Sequence, residues 1–216
     1  MSVPAKALLF DVGDVLMEHN WRLLELLSEK RRHDVNGGRG PFDPAGDPAW
    51  QRVTAGEITA DEYWDIRAEV LGYVDRIALW HAFAHELGGH VFATDAFALV
   101  DEAKAAGIPV GVLSNDLVRS SGRDWVDSRP EFKKFDVVVD CTEFGQRKPA
   151  PAPYLHSADL LGVVPAGVVF LDDMQYCVDG ANTVGMVGVL VDPLNRTKAF
   201  NEARRRVGLP VATVAA

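Results

Sequence analysis

The sequence has few cysteines, no long apolar run and no excess of positive charge. Two of its 216 residues are cysteine, Cys141 and Cys177, which is too few for a disulfide framework in a chain of this length. The first apolar run, Ala7–Phe10, is far too short to span a bilayer, and no basic-then-apolar signal stands out at the N-terminus. We therefore expect a cytoplasmic protein.

The charge balance is acidic, with a formal net charge of -9. An acidic surface repels nucleic acids and anionic membranes, so we expect neither as a partner. A small anionic substrate stays compatible with this charge if the site itself is locally positive. The length suits one large domain, or one core domain with a modest insertion, and the sequence leaves open whether the protein is a monomer or a homodimer.

Five short apolar runs predict buried strands, and helical patterns lie between the later ones. The predicted strands are Lys6–Phe10, Ile108–Leu113, Phe135–Val139, Val168–Leu171 and Met186–Val191. The predicted helices between them are Thr94–Ala106, with Thr94 as its capping residue, Tyr154–Leu161 and Val178–Val184. This alternation predicts an α/β fold, with a Rossmann-like parallel sheet that carries helices on both faces.

Residues 17–93 do not follow the alternation, because their patterns are helical throughout. The signals are a periodic run at Trp21–Leu27, an Asp47-Pro48 cap, a capping box at Thr59–Glu62 and a glycine- and proline-rich loop at Gly37–Asp47. We interpret residues 17–93 as a small helical cap domain inserted after the first strand. The core domain then consists of residues 1–16 and 94–216.

Polar residues follow three of the predicted strands, where ligands of parallel sheets bind. Asp11 follows the first strand; a carboxylate there is a nucleophile, a metal ligand, or only a helix cap or turn former. Ser114 and Asn115 follow the second, where a hydroxyl, an amide and nearby N–H groups suit phosphate oxygens but also form ordinary turns.

Two further motifs carry charge. Lys148 precedes a proline-rich stretch and could neutralise a phosphate or a carboxylate, although a lone lysine is usually solvated. Asp172 and Asp173 close a buried strand, where two adjacent ionised carboxylates are unfavourable without a cation. Mg²⁺ prefers oxygen ligands and takes only one or two carboxylates, so the pair predicts a magnesium site.

Taken together, these segments resemble the haloacid dehalogenase superfamily over nearly the whole chain. The matching segments are Phe10–Leu16, Leu113–Asn115, Arg147–Tyr154 and Phe170–Gly185, with Gly56–Thr59 and Trp64 in the insertion. The set is most similar to the branch with a small helical cap, which includes sugar-phosphate phosphatases. The resemblance implies an aspartyl-phosphate mechanism with Mg²⁺ as cofactor and a small phosphorylated metabolite as substrate.

The resemblance also implies a role for each site residue. Asp11 would attack phosphorus, and Asp11, the Gly13 carbonyl and Asp173 would hold Mg²⁺, with Asp172 helping directly or through water. Ser114, Asn115 and Lys148 would hold the phosphoryl oxygens.

This chain departs from the commonest phosphatase pattern at Gly13, where that pattern has an aspartate as general acid and base. In an extended strand position 13 shares a side with Asp11, and Asp14 points the other way. We therefore expect slow turnover of unactivated alkyl phosphates unless a turn at Gly13 brings Asp14 into the site.

Two other functions stay open, namely a 2-haloacid dehalogenase and a catalytically weak binding or regulatory protein of the same fold. The Asp172-Asp173 pair argues against the first, because metal-independent dehalogenases of the superfamily lack it, whereas Gly13 favours the second. In the insertion, Arg22 is a candidate phosphate-binding residue. His81 and His85 have a zinc-site spacing but no evident third ligand, which favours packing.

Overall fold

Five parallel strands form one sheet in the computed structural model, which describes residues 6–32 and 38–212. The strands are β1 (Ala7–Phe10), β2 (Val110–Ser114), β3 (Val137–Asp140), β4 (Val168–Asp172) and β5 (Val187–Leu190). Their order across the sheet is β3-β2-β1-β4-β5, so β1 is the central strand. The chain moves outward from β1 to β3 and then resumes on the other side of β1 with β4, which makes the gap between β1 and β4 a topological switch point.

Helices connect the strands and cover the sheet. The α-helices are α1 (Asn20–Arg31), α2 (Pro48–Thr54), α3 (Ala60–Val70), α4 (Arg76–Leu87), α5 (Thr94–Ala105), α6 (Leu117–Ser121), α7 (Arg123–Ser128), α8 (Cys141–Phe144), α9 (Pro151–Leu160), α10 (Gln175–Thr183) and α11 (Thr197–Val207). Short 3-10 helices span Gly40–Phe42, Gly88–Val91, Phe132–Lys134 and Pro165–Gly167. The predicted α/β class is confirmed.

The sheet buries apolar side chains on both faces, because successive side chains of a strand point to opposite faces and helices cover each face. Leu9 and Phe170 pack with Tyr154 of α9 and with α10 on one face. Phe10 points to the other face, where its ring meets Phe135 edge-on at 6.1 Å. Helices α5 and α11 pack together over that second face. Both faces are therefore dry, and polar residues are left to the strand ends.

One predicted helix start is wrong. Thr94 is the first residue of α5 rather than its capping residue, and Ala93 occupies the cap position without a side-chain hydrogen bond. The Ala93 N–H donates to the Leu16 carbonyl at 2.9 Å, which holds Ala93 in an extended conformation beside the segment that leaves β1. This distant backbone bond fixes where the helix begins, and the residue types around Thr94 do not reveal it.

The backbone turns directly after β1. Residues Val12–Leu16 form a distorted π-helical turn in which Gly13 is extended (φ -62°, ψ 134°) and Asp14 is left-handed (φ 57°, ψ 0°). The expectation that the chain stays extended through Asp14 is therefore wrong, because the left-handed conformation of Asp14 turns the chain. A Cβ built on Gly13 would lie 3.8 Å from the Asp11 carboxylate, so position 13 does face the same side as Asp11.

The described residues divide into two compact units. One falls within Met1–His19, Phe92–Val118 and Arg123–Ala216, and contains the sheet; the other falls within Asn20–Val91 and Arg119–Gly122, and is helical. The expected insertion spans residues 17–93, and the helical unit also includes residues 119–122. Of the predicted loop, Gly37 lies outside the described residues and Gly40–Phe42 is a 3-10 helix.

The helical unit is organised around a buried aspartate. Asp47 caps α2 by accepting from the Trp50 N–H, and it also accepts from the Gly40 N–H and the Tyr63 hydroxyl. The Tyr63 hydroxyl accepts in turn from the Trp21 indole at 3.1 Å, and Trp64 packs 5.3 Å from Trp21. The predicted caps at Asp47 and Thr59 are confirmed.

Within residues 6–32 and 38–212, no helix has the length and apolar character that a membrane crossing requires.

Candidate active site

Three neighbouring strand ends bring the predicted site residues together. Asp11 follows β1, and its N–H donates to the Leu171 carbonyl of β4 at 2.8 Å, which places it beside Asp172. Ser114 is the last residue of β2, on the opposite side of β1. Because the strands are parallel and in register, their final residues share one edge of the sheet.

Lys148 connects the strand ends at the centre of the site. Its Nζ donates to Asp11 Oδ1 at 2.6 Å and to Asp172 Oδ2 at 2.7 Å. The lysine is 4% exposed. Burial alone would lower the pKa of Lys148, but the attraction of the two carboxylates outweighs it and raises that pKa, so the ammonium stays charged. A fixed positive charge therefore lies next to the predicted nucleophile.

The segment that carries Lys148 is held by α9 and α10. Gly180 of α10 allows the close approach, because a Cβ there would lie 2.8 Å from Pro149 and 2.9 Å from the Tyr154 hydroxyl. That hydroxyl donates to the Cys177 carbonyl at 2.8 Å and ties α9 to α10. A larger residue at position 180 would push Lys148 away from the carboxylates.

Asn115 holds the backbone of Lys148 from the other side. Its side-chain oxygen accepts from the Lys148 N–H at 2.8 Å, and its side-chain nitrogen donates to the Lys148 carbonyl at 3.3 Å. Asn115 thus orients the lysine, a role that the sequence did not indicate. Its expected contact with a phosphoryl group stays a prediction.

Two further aspartates organise the loops around these groups. Asp172 Oδ1 accepts from the Met174 N–H at 2.8 Å, so both of its oxygens have protein partners. Asp140, at the end of β3, accepts from the N–H groups of Thr142 and Val118. The strand-end rule could have identified Asp140, because it follows an apolar run as Asp11 does.

Three carboxylates converge at the same edge of the sheet. Asp11, Asp172 and Asp173 each offer an oxygen, and these oxygens lie within 4.8 Å of one another. Burial raises the pKa of Asp11 to about 6, against the pull of Lys148. Burial, with repulsion from the neighbouring carboxylates Asp11, Asp14 and Asp172, raises the pKa of Asp173 to about 8.

This arrangement fits a hard divalent cation. One lysine does not offset three converging carboxylates, and an oxygen-only donor set is what Mg²⁺ prefers. Because both oxygens of Asp172 already have partners, Asp11 and Asp173 are the better placed ligands, with Asp172 in support.

A cleft of about 180 Å³ opens onto these groups. Asp11, Gly13, Ser114 and Lys148 are among the residues that line it. The Ser114 hydroxyl accepts from the Asp116 N–H at 3.4 Å. A cleft that brings the Lys148 ammonium and the Ser114 hydroxyl together with the Asp11 carboxylate can hold an anion next to a nucleophile.

Cys177, a predicted buried helix residue, lies in α10, where it is 1% exposed and also lines the cleft. Burial, with repulsion from Asp172, raises the pKa of its thiol to about 12. A raised pKa disfavours the thiolate at neutral pH, which argues against Cys177 as the nucleophile.

The remaining candidates belong to the helical unit. Arg22 lies in α1 and donates to Glu25 at 3.2 Å, and its expected contact with a phosphate stays a prediction. His81 and His85 share a face of α4, where their rings stack at 4.0 Å. Among the described residues, the only cluster of three or more potential metal ligands is the aspartate trio, so the interpretation of the histidines as packing stands.

The family of haloacid dehalogenase-like hydrolases matches residues 5–185, which is most of the chain and contains every candidate residue of the site. The chain belongs to this family.

Two phosphatases are among the relatives that the chain resembles in sequence. Phosphatase MT3486 of Mycobacterium tuberculosis is 35% identical over 104 residues, which cover 48% of this chain and 48% of the relative. Ribulose-1,5-bisphosphate 5-phosphatase of Halopiger xanaduensis is 28% identical over 137 residues, which cover 59% of this chain and 52% of the relative. The chain thus spans about half the length of these curated relatives.

Solved structures support the same fold. The HAD-hydrolase YfnB of Bacillus subtilis, solved with bound magnesium, superposes with a TM-score of 0.62 at 16% identity, covering 96% of this chain and 100% of its own. A HAD phosphatase of Thermococcus onnurineus gives a TM-score of 0.59 at 18% identity, with the same coverage. At this level of identity the likeness concerns the fold alone.

Proposed function

We propose that the protein is a Mg²⁺-dependent phosphatase that cleaves small phosphorylated metabolites through an aspartyl-phosphate on Asp11. The observation that carries the proposal is the position of the Asp11 carboxylate at the end of the central strand. There it lies 2.6 Å from the Lys148 ammonium and converges with Asp172 and Asp173. The phosphatases among the relatives support the reaction class, and a sugar phosphate fits the same class.

Asp11 is the nucleophile in this proposal. With a pKa near 6 its carboxylate is mostly ionised at neutral pH, yet it is a stronger base than an exposed aspartate. Its oxygen forms a bond to phosphorus while the bond from phosphorus to the leaving oxygen breaks, and the leaving oxygen takes up a proton. Water then attacks phosphorus, which releases inorganic phosphate and restores the carboxylate.

Lys148 and Ser114 position the phosphoryl group. The Lys148 ammonium, fixed by Asp11 and Asp172, offsets negative charge on the phosphoryl oxygens as the transition state forms. The Ser114 hydroxyl at the base of the cleft donates to the same group. Mg²⁺, held by Asp11, Asp173 and the Gly13 carbonyl, would supply further neutralisation of charge.

The helical unit is the cap domain in this proposal. The segments just before and just after residues 20–91 run beside each other, since Met17 and Phe92 form an antiparallel bridge and the Ala93 N–H donates to the Leu16 carbonyl. The first of these segments begins within a few residues of Asp11. A cap attached there would exclude water during the reaction and select the substrate.

A paired assay tests the proposal against the dehalogenase alternative. Purified protein is incubated with 4-nitrophenyl phosphate and separately with 2-chloropropionate, each with Mg²⁺ and after exhaustive chelation. We expect phosphate release only with Mg²⁺ and no halide release. Halide release that persists after chelation would support a dehalogenase, and no turnover of a panel of phosphorylated metabolites would support a binding protein.

A further inference from the structure

Among the charged and polar residues that line the cleft are two large apolar ones, Met174 and Tyr176, which form what we call its apolar wall. They are 45% and 49% exposed. The other large apolar side chains that the described chain leaves this exposed, such as Leu155, Leu160 and Val164, lie away from the cleft. Single exposed apolar residues are common on protein surfaces, but two exposed apolar residues in a reaction cleft indicate an apolar group of a bound ligand.

The position of this wall is fixed by the site itself. The Met174 N–H donates to Asp172 Oδ1, the carboxylate whose other oxygen binds Lys148. The Met174 carbonyl accepts from the N–H groups of Cys177 and Val178 in the first turn of α10, so Met174 is the N-cap residue of that helix, two residues after β4 ends. Both apolar side chains line the same cleft as Ser114 and Lys148, which would hold the phosphoryl group.

We propose that Met174 and Tyr176 are specificity-determining residues that contact the leaving group of the substrate, and that this group presents an apolar face next to its ester oxygen. The inference rests on the proposed phosphatase function and names the class of substrate. A ring, aromatic or saturated, offers such a face. A flat aromatic side chain packs against a ring with little loss of freedom, and a methionine adapts to its edge.

An ion pair in the same cleft limits the charge of that leaving group. Arg147 and Asp116 also line the cleft, and the arginine Nη2 lies 3.3 Å from the aspartate. Because this pair compensates its own charge, it favours a polar neutral edge over a second phosphate. The preferred ester therefore has one apolar face and one polar edge.

A pair of alkyl phosphates isolates the contribution of the ring. Benzyl phosphate and ethyl phosphate release alkoxides of similar basicity, so the chemical step makes similar demands on both. We expect the wild-type protein with Mg²⁺ to have the higher kcat/KM on benzyl phosphate. Tyr176→Ala should lower that value about fivefold to tenfold while changing kcat/KM on ethyl phosphate by no more than about twofold.

Two variants control for loss of structure and for the tyrosine hydroxyl. Tyr176→Phe keeps the ring and should retain the wild-type preference for benzyl phosphate. Leu160→Ala removes an apolar side chain of similar exposure, 51%, from α9 and should leave both substrates unchanged. Met174→Ala should show a smaller selective loss than Tyr176→Ala.

Binding of phosphonates keeps the inference testable if turnover fails. Benzylphosphonate and ethylphosphonate are titrated calorimetrically into wild-type and Tyr176→Ala protein with Mg²⁺. Stronger binding of benzylphosphonate that Tyr176→Ala removes would support the apolar wall, even where the proposed function fails for want of turnover. Equal binding of both phosphonates, or an equal fall of both kcat/KM values in Tyr176→Ala, would overturn it.

Discussion

Lys148 depends on residues far from it in sequence for its position. Asn115, 33 residues earlier, holds both sides of its backbone, and Asp11, 137 residues earlier, accepts from its ammonium. The sequence placed Asn115 at a strand end but could not show that its amide is directed at Lys148. Local pattern identifies which residues carry chemistry, whereas the pairing among them depends on how distant segments pack.

The Asn115 contact predicts a selective kinetic effect. Asn115→Ala removes both hydrogen bonds to the Lys148 backbone, so the ammonium should lose its fixed position beside Asp11. We expect kcat to fall about tenfold or more, since groups that position catalytic residues affect the transition state most. Steady-state kinetics on 4-nitrophenyl phosphate provides the measurement.

Asn182→Ala is the matched control for Asn115→Ala. It removes the hydrogen bond that the Asn182 side-chain oxygen accepts from the Gly188 N–H, at the far end of α10. Its kcat should stay near the wild-type value. An equal fall in both variants would show that the loss at Asn115 reflects general destabilisation.

Replacing Gly13 with aspartate should increase the activity. Its backbone has φ -62°, which any residue adopts, and a Cβ there would meet only the Asp11 carboxylate, at 3.8 Å. Gly13→Asp therefore adds a carboxylate on the side of the nucleophile, where general acid–base help is worth roughly 10²–10⁴-fold. We expect at least a tenfold rise in kcat/KM on ethyl phosphate and a smaller rise on 4-nitrophenyl phosphate, whose leaving group needs less protonation.

Two variants separate acid–base help from other effects. Gly13→Asn has a similar size without the acid and should not raise activity. Asp14 does not line the cleft, so Asp14→Asn should change activity little, and asparagine tolerates the left-handed conformation there. If Asp14→Asn is as inactive as Asp11→Asn, then Asp14 is the general acid and base and the turn at Gly13 serves to present it.

At the scale of elements, helix starts follow local sequence where the cap is local. Asp47 and Thr59 cap α2 and α3 with their own side chains, as the sequence predicted. Thr94 does not, because the start of α5 is fixed by a backbone bond from Ala93 to Leu16, 77 residues earlier. Strand periodicity likewise implied an extended chain after Gly13, whereas the chain turns there.

Asp47 predicts a loss of stability in the helical unit. Asp47→Ala removes the cap of α2 and leaves the Gly40 N–H and the buried Tyr63 hydroxyl without their acceptor. We expect the free energy of unfolding to fall by about 3 kcal/mol. Urea unfolding followed by tryptophan fluorescence reports on this unit, since four of the five tryptophans lie in residues 20–91.

Thr59→Ala is the control for Asp47→Ala. It removes an exposed capping side chain from α3 in the same unit and should lower the free energy of unfolding by only about 1 kcal/mol. A comparable loss in both variants would contradict the central position of Asp47.

At the scale of the whole molecule, the strand order explains why distant motifs meet. The sequence predicted the parallel sheet from its alternating strands and helices, and the order β3-β2-β1-β4-β5 places Asp11 between Ser114 and Asp172. The helical unit between β1 and β2 was also visible as a break in the alternation. The apolar wall of Met174 and Tyr176 was not, because only the folded cleft shows which side chains face it.

Converging carboxylates predict that Mg²⁺ stabilises the fold. A cation that binds the folded state raises the free energy of unfolding by about 2.7 kcal/mol at a hundred times its dissociation constant. We expect the Tm to rise with Mg²⁺ in the wild-type protein and to stay constant in Asp173→Ala, which lacks a principal ligand. Asp179→Ala removes an exposed carboxylate from α10 and should keep the rise; a rise of equal size in Asp173→Ala would place the cation elsewhere.

The central claim, that Asp11 becomes covalently phosphorylated, is tested most directly by trapping the intermediate. The protein is mixed with 4-nitrophenyl phosphate and Mg²⁺, quenched within one turnover and treated with borohydride, which reduces an aspartyl-phosphate to homoserine. Peptide mass spectrometry should find homoserine at position 11 only when substrate and Mg²⁺ are both present, and a folded Asp11→Asn protein should lose roughly 10³-fold or more in turnover. Homoserine at another position, or near-normal turnover by Asp11→Asn, would contradict the account.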